Sequence, residues 1–227
     1  MDINAKMTFL EQFPLFEVLS TEEKKVLMQM VKFHRLPKHS YVYETGDPSD
    51  TLYFLVKGVI KIGTYSSDNK EVIKAILHPL AMFGEMCIVG ETAHPDFARA
   101  MNQEVQYFAL KVRDFRRLMR SNYDLSNKVL NLIGEKLRKT ESRLEALIFK
   151  DARTRIIDYL KESAIKRGRR IGIDETLVKH TLTQQDIANI TGTSRQTVTS
   201  VLNELKKLNL IHFNRRSILI RDISQLA

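Results

Sequence analysis

The apolar positions of this chain change period twice along its length. Over residues 1–36 they fall at helical spacing in pieces. Val26, Leu27, Met30 and Val31 follow Ser20-Thr21-Glu22-Glu23, and Ser20 and Glu23 have the spacing of a capping box. In that motif a hydroxyl and a carboxylate each satisfy an orphan backbone amide at a helix start. From Leu36 to about Leu110 the period shortens. Tyr41-Val42-Tyr43, Leu52-Tyr53-Phe54-Leu55-Val56, Val59-Ile60-Lys61-Ile62 and Val72-Ile73-Lys74-Ala75-Ile76-Leu77 are rich in β-branched and aromatic residues. Pro37, Gly46-Asp47-Pro48, Lys57-Gly58, Ser67-Asp68-Asn69-Lys70, Pro79, Gly84 and Gly90 punctuate them. Many short strands separated by such turns predict a sandwich or barrel.

Residues 112–148 return to helical spacing. Leu125, Val129, Leu132, Ile133, Lys136, Leu137, Thr140, Leu144 and Leu147 approximate an a/d seam with charged flanks, interrupted only by Gly134. An apolar stripe of this length must be buried, in the core of its own domain or against another copy. The charged shoulders over about five turns favour a dimer helix. Its expected contacts are Leu125, Val129, Leu132, Ile133, Leu137 and Leu144. After it come a helical stretch (Thr154–Ile165), the loop Lys166-Arg167-Gly168-Arg169-Arg170, two further helices and a hairpin. The texture divides the chain into 1–120, 121–149 and 150–227, an α+β organisation.

The stretch Thr183–Leu205 carries the most chemistry. Thr183 suits the cap of a first helix, with Asp186 beside its positive end. Ile187 and Ile190 give it a buried face, and Ala188 is small where two helices approach. Gly192 supplies a tight turn, because glycine takes positive φ without steric cost. Thr193 and Gln196 have a second capping-box spacing, and Val198, Val201, Leu202 and Leu205 repeat as the buried side of a second helix. Ser194, Arg195, Gln196, Thr199, Ser200 and Asn203 stay outward. Such side chains read base edges or hold phosphates, arginine forking onto guanine and glutamine pairing with adenine. Thr183, Gln184 and Thr193 complete the expected DNA-binding set. Leu210-Ile211-His212-Phe213 and Ile218-Leu219-Ile220 flank Asn214-Arg215-Arg216-Ser217, a wing-like hairpin with Arg215 and Arg216 placed for phosphate contact or simply solvated.

Charge strengthens this reading. The chain carries a net +9, and residues 150–227 hold 15 Lys and Arg against 8 Asp and Glu. A basic C-terminal third suits a polyanion, since neutralised phosphates release condensed counterions. Cys87 is the only cysteine, which excludes an intrachain disulfide and a cluster held by four thiolates of this chain. The start MDINAKMTFLEQF lacks the basic and apolar regions of a secretory signal, and no apolar run is long enough to span a bilayer. A cytoplasmic protein without a membrane partner is expected. The six histidines show no metal-ligand spacing, and no catalytic motif is found, so neither a metal site nor an enzyme is expected.

The order of parts resembles the CRP/FNR family of bacterial regulators over nearly the whole chain. Gly46-Asp47-Pro48-Ser49-Asp50-Thr51-Leu52-Tyr53-Phe54-Leu55-Val56-Lys57-Gly58 looks like the opening strands of the family's cyclic-nucleotide-binding jelly roll. Phe83-Gly84-Glu85-Met86 looks like the start of its phosphate cassette, and Ser194-Arg195-Gln196-Thr197-Val198-Thr199 resembles its recognition helix. The resemblance implies an effector-sensing β-roll (1–120), a dimerisation helix (121–149) and a C-terminal winged helix-turn-helix (150–227). It also implies a homodimer on pseudo-palindromic double-stranded DNA that recruits RNA polymerase, as an activator, or blocks it. Gly84, Glu85, Met86, Arg99, Ala100, Lys136, Thr140 and Glu141 form the implied effector pocket.

The pattern is broken at that pocket. Members that bind cyclic AMP place Arg-Ser or Arg-Thr about ten residues after Gly-Glu, and the arginine neutralises the cyclic phosphate. Here the stretch is His94-Pro95-Asp96-Phe97-Ala98-Arg99-Ala100, and Arg99 better matches an arginine of the following strand. Thr140 fits the position that touches adenine, but the serine that follows it in those members is Glu141. These departures weigh against cyclic AMP. An unidentified small-molecule effector, effector-independent DNA binding and a cyclic-nucleotide-type regulatory module stay open. Gln196 and Ser200 also depart, from a glutamate and a second arginine, so Arg195 should keep the common guanine contact while flanking specificity differs.

Overall fold

The computed structural model describes residues 3–226. Its contacts divide into two compact units, one of residues 3–65 and 74–138, the other of 66–73 and 139–226. In the first, α1 (Ile3–Gln12), a 3-10 turn (Pro14–Phe16) and α2 (Thr21–Met30) precede the strands. These are β1 (Lys32–Pro37), β2 (Tyr41–Tyr43), β3 (Thr51–Lys57), β4 (Ile60–Tyr65), β5 (Glu71–Leu77), β6 (Met82–Phe83), β7 (Phe97–Ala100) and β8 (Glu104–Lys111). They form two four-stranded antiparallel sheets, ordered β1-β8-β3-β6 and β2-β7-β4-β5. Then come α3 (Val112–Ser121) and the long α4 (Tyr123–Phe149), whose last turns belong to the second unit.

Period-2 alternation explains how the first sheet serves two cores. Leu52 and Phe54 of β3, with Phe108 and Leu110 of β8, face α1–α4 and pack with Phe13, Phe16, Leu27, Phe115, Leu125 and Val129. Leu55 of β3, with Val105 and Tyr107 of β8, points the other way, toward Tyr43, Ile60, Ile62, Ala98 and Ala100 of the second sheet. Each fully buried Leu or Phe contributes roughly 1.5–3 kcal/mol, so both faces of β3 and β8 stabilise the roll.

The local expectations hold with specific exceptions. Ser20 and Glu23 form the capping box, Glu23 N–H donating to Ser20 Oγ (3.2 Å) and Ser20 N–H to the Glu23 carboxylate (2.8 Å). Residues 32–36, grouped by spacing with the helices, are instead strand β1, registered from Lys32↔Ala109 to Pro37↔Glu104. Pairing to β8 overrides the local pattern, and Pro37 is tolerated because β1 is an edge strand. The expected continuous helix over 112–148 breaks at Asn122. Its side-chain oxygen accepts from Leu125 N–H (2.9 Å), starting α4, while its amide nitrogen lies 3.1 Å from the Glu23 carboxylate. Asparagine favours such caps because its short side chain competes for backbone amides.

The second unit contains α5 (Ala152–Arg167), β9 (Arg169–Arg170), β10 (Thr176–Lys179), α6 (Gln184–Thr191), α7 (Arg195–Lys207), β11 (Ile211–Phe213) and β12 (Ser217–Ile220). Asp151 caps α5 by accepting from Thr154 N–H (2.7 Å). Residues 166–170, expected as a loop, split between the last turn of α5 and strand β9. The sheet runs β11-β12-β10-β9. Ile156, Ile157, Leu160, Ile187, Val198, Val201, Leu202, Leu205, Ile218 and Ile220 are buried in this unit. Among the described residues no helix is long and apolar enough to cross a membrane.

Candidate functional site

Helices α6 and α7 form a helix-turn-helix. Thr183 caps α6, with Asp186 N–H donating to its hydroxyl (3.1 Å) and its own N–H donating to the Asp186 carboxylate (2.8 Å). The buried side is Ile187 and Ala188 on α6 against Val198, Val201, Leu202 and Leu205 on α7, while Ile190 is half-buried. Gly192 sits in the turn at φ +61° and donates to the Ala188 carbonyl. The left-handed backbone favours glycine, and a Cβ there would lie 2.8 Å from Leu147 Cδ2, so the leucine tip would have to shift. The expected Thr193–Gln196 capping box is not formed. Thr193 N–H closes the end of α6 on the Ala188 carbonyl (3.0 Å), and Ser194 caps α7 by accepting from Thr197 N–H (3.0 Å).

With the apolar side buried, Ser194, Arg195, Gln196, Ser200 and Asn203 are exposed, and Gln184, Thr193 and Thr199 are half-buried beside them. Thr199 Oγ1 lies 2.7 Å from Gln184 Oε1 and 2.9 Å from the Arg195 carbonyl, tying the two helix starts together. Thr183 is exposed at the head of α6. In the β11–β12 turn, Asn214 Oδ1 accepts from the amides of Arg216 and Ser217 (2.9 Å each), leaving both arginine side chains exposed. The arrangement offers donors and a fork-shaped cation on one helix face, with a basic turn nearby in sequence, as groove reading and phosphate contact require.

On α4 the expected seam divides by burial. Leu125 and Val129 are closed into the roll core, and Leu132 and Ile133 pack partly against it. Leu137 and Leu144 are exposed, as are Leu130 and Leu147, which the dimer set had not included. Leu130, Leu137 and Leu144 stand seven residues apart, with Ile133, Thr140 and Leu147 at the intervening positions. Period alone could not separate a stripe facing the roll from one facing solvent, because both share one helix.

In the roll, Gly84 takes φ +73°, and a Cβ there would sit 2.9 Å from the Thr51 carbonyl and the Tyr53 ring. Glu85, which follows it, is buried and binds Lys136 Nζ at 2.6 Å, while that ammonium also donates to the Met82 carbonyl (3.1 Å). Glu85 and Lys136 thus come together. Met86 is exposed, Ala100 is buried between the sheets, and Thr140 and Glu141 are exposed on α4. Arg99 projects from the opposite face of β7 to Ala98 and Ala100. Its guanidinium lies 3.2 Å from the Tyr41 hydroxyl and over the Tyr41 and Phe97 rings, away from the inter-sheet core that holds Ala100.

Sequence reading missed the stack of His94 on Tyr43, whose ring centroids are 3.5 Å apart and nearly parallel. Burial holds the His94 imidazole below its ordinary range, against the opposing pull of Asp96, Asp47, Asp50 and Glu85. Burial, with Asp96 and Glu85 nearby, lifts the Tyr43 phenol well above its ordinary value. Asp96 in turn pairs with Lys74 (3.3 Å). A cyclic phosphate needs a fixed cation. Here the stretch offers a buried histidine stacked on Tyr43, a proline and an aspartate, and Glu85 is already engaged by Lys136. These residues do not suit a cyclic nucleotide. Arg155, also missed, donates to carbonyls at the helix-turn-helix turn; an arginine in a helix's first turn gives no distinguishing signal in sequence.

Residues 33–122 match the protein family described as cyclic nucleotide-binding domain, and residues 154–227 match the Crp-like helix-turn-helix domain. The chain is 31% identical over 191 residues, 84% of each protein, to the CRP-like cAMP-activated global transcriptional regulator of Mycobacterium tuberculosis. It is 25% identical to the global nitrogen regulator of Synechococcus elongatus, over 86% of this chain and 87% of that one. Among solved structures, a CooA mutant from Carboxydothermus hydrogenoformans superposes with a TM-score of 0.78 at 24% identity, covering 93% of each chain. FixK2 from Bradyrhizobium japonicum gives 0.77 at 20% identity, over 86% of this chain and 95% of that one. These two likenesses establish the fold.

Proposed function

Since this chain belongs to the CRP/FNR family of DNA-binding transcription regulators, we propose that it acts as a homodimer on pseudo-palindromic promoter sites, each α7 reading one half-site in the major groove. The observation that carries the reading is the solvent face of α7, where Arg195, Gln196, Thr199, Ser200 and Asn203 align opposite a fully apolar buried side. Arg195 forks onto a guanine, Gln196, Ser200 and Asn203 set flanking preference, and Thr183, Gln184, Thr193, Ser194, Arg215 and Arg216 hold phosphates. The exposed row Leu130, Leu137, Leu144 supports pairing of two α4 helices, because a heptad row of leucines left in water is costly. The DNA-bound dimer engages RNA polymerase in the cytoplasm and catalyses no reaction of its own.

The roll is the regulatory unit, and its signal is something other than a cyclic nucleotide. A second reading, DNA binding with no effector at all, is favoured by the Lys136–Glu85 pair, which already occupies the cassette carboxylate from within the chain. The test is to sequence fragments captured from a random-sequence DNA pool by the purified protein, with and without cyclic AMP. A palindrome recovered equally in both supports the reading. One recovered only with the nucleotide overturns the exclusion of cyclic AMP, and no enrichment under either condition overturns DNA reading by the protein alone.

A further inference from the structure

Arg155 stands in the first turn of α5, and its guanidinium gathers the ends of two other helices. Nη1 donates to the Lys150 carbonyl just beyond α4 (2.6 Å), Nε to the Thr191 carbonyl at the end of α6 (2.8 Å), and Nη2 to the Gly192 carbonyl in the turn (3.0 Å). Helix C-termini carry unpaired carbonyls and partial negative charge, so one cation shared between two of them stabilises both. Packing reinforces the link. Leu147, in the last turn of α4, fills the space that a side chain at Gly192 would need. Lys150 Nζ pairs with Asp158 of α5 (2.8 Å), and Arg153 of α5 pairs with Glu204 of α7 (3.0 Å).

The recognition helix begins at Arg195, three residues after Gly192. Whatever fixes Gly192 to the end of α4 therefore fixes the start of α7 to it as well. We propose that Arg155 is the positioning residue that sets the separation of the two recognition helices in the DNA-bound dimer, by fastening the helix-turn-helix turn to the end of α4. This rests on the dimer reading above. In a twofold dimer paired along α4, the offset of each α7 from the axis follows from that joint, and half-sites lie about one DNA turn, roughly 34 Å, apart. Lysine cannot replace the arginine, because a single ammonium does not present a planar fork to three separated carbonyls.

The test compares wild type with Arg155→Ala and Arg155→Lys. The probes are the palindrome that wild type selects from a random pool, the same palindrome with one base pair inserted or removed at its centre, and an isolated half-site. Fluorescence anisotropy gives the affinities, and thermal melting identifies any variant that fails to fold; Arg155→Lys keeps charge and stem and so isolates the loss of the planar fork. Both variants should lose about tenfold on the selected palindrome, stay within about twofold of wild type on the half-site, and discriminate less between spacings. Wild-type spacing preference retained by a folded variant, or equal loss on half-site and palindrome, overturns the proposal alone. A wild-type protein that binds half-site and palindrome equally overturns the dimer reading, and the proposal with it.

Discussion

The Lys136 ammonium lies 2.6 Å from the Glu85 carboxylate and joins α4 to the glycine-led segment that follows β6. The Glu85 side chain is 11% exposed and that of Lys136 39%, so the carboxylate depends on this partner more than the ammonium does. Lys136→Met should cost the roll about 1–3 kcal/mol by leaving a buried acceptor unpaired. Adding Glu85→Gln should recover part of that loss, because the stranded charge is gone. Denaturant melts of the four proteins in the cycle measure it, and strictly additive losses would refute the pairing.

The two kinds of arginine in the DNA-binding unit should separate by assay. Arg195→Ala should cost about 1–3 kcal/mol on the selected palindrome and relax base choice at one position. Arg215→Ala should weaken all sequences alike and reduce the salt slope by about one. Titrations on specific and random DNA at several salt concentrations give both quantities. Equal loss on the two DNAs for Arg195→Ala would remove it as a base reader.

Leucines of α4 should likewise sort into two classes. Leu137→Asp places a charge in the exposed row and should weaken dimerisation by about 3 kcal/mol or more, counting one lost Leu burial per chain. Leu125→Ala empties part of the roll core and should instead lower folding stability by about 2–5 kcal/mol. Sedimentation and denaturant melts distinguish these outcomes. A Leu137→Asp protein that sediments as wild type would exclude pairing along this row.

This division marks where sequence reading stops. Strands β2 to β5, both helices of the helix-turn-helix, its Gly192 turn and the wing were legible because each depends on neighbours within a few residues: Thr183 with Asp186, alternation in β3, Asn214 in its turn. The faces of α4 were not, since Leu125 and Leu137 look alike until the roll is folded against one of them. Strand β1 was hidden because its partner β8 lies some seventy residues on, and Arg99 because one position decides which face of β7 it takes. The His94–Tyr43 stack and the carbonyls held by Arg155 join segments that no local period connects.

Gly192→Ala should destabilise the DNA-binding unit on two counts. A left-handed backbone costs a residue with a Cβ about 1–2 kcal/mol, and the new methyl group meets Leu147. Leu147→Ala in the same chain should relieve the second count only. Partial recovery of the melting temperature in the double variant is the expected result; no recovery would mean that the backbone accounts for the whole effect.

Acidification should destabilise the protein through buried His94 and half-buried His180. Burial lowers the folded pKa of both His94 and His180 from the ordinary 6.5. The unfolded chain therefore takes up protons at higher pH than the folded one, so stability is complete above about pH 6.5 and lost as pH falls through the folded values. Melting temperatures followed from about pH 7.5 to 5.5 should fall. In His94→Phe, which keeps a ring against Tyr43, the fall should be shallower. An unchanged slope would mean that other groups set it.

Asn122 ends α3, starts α4 through Leu125 N–H and holds the Glu23 carboxylate of the α2 cap. The angular phase of the long helix is therefore set at its first residue by the folded roll. Each residue advances an α-helix by about 100°. One residue inserted after Asn122 would swing the Leu130–Leu137–Leu144 row by that angle, or else force Leu125 and Val129 out of the roll. The hand with which the roll grips the helix decides which side of it a second copy can meet.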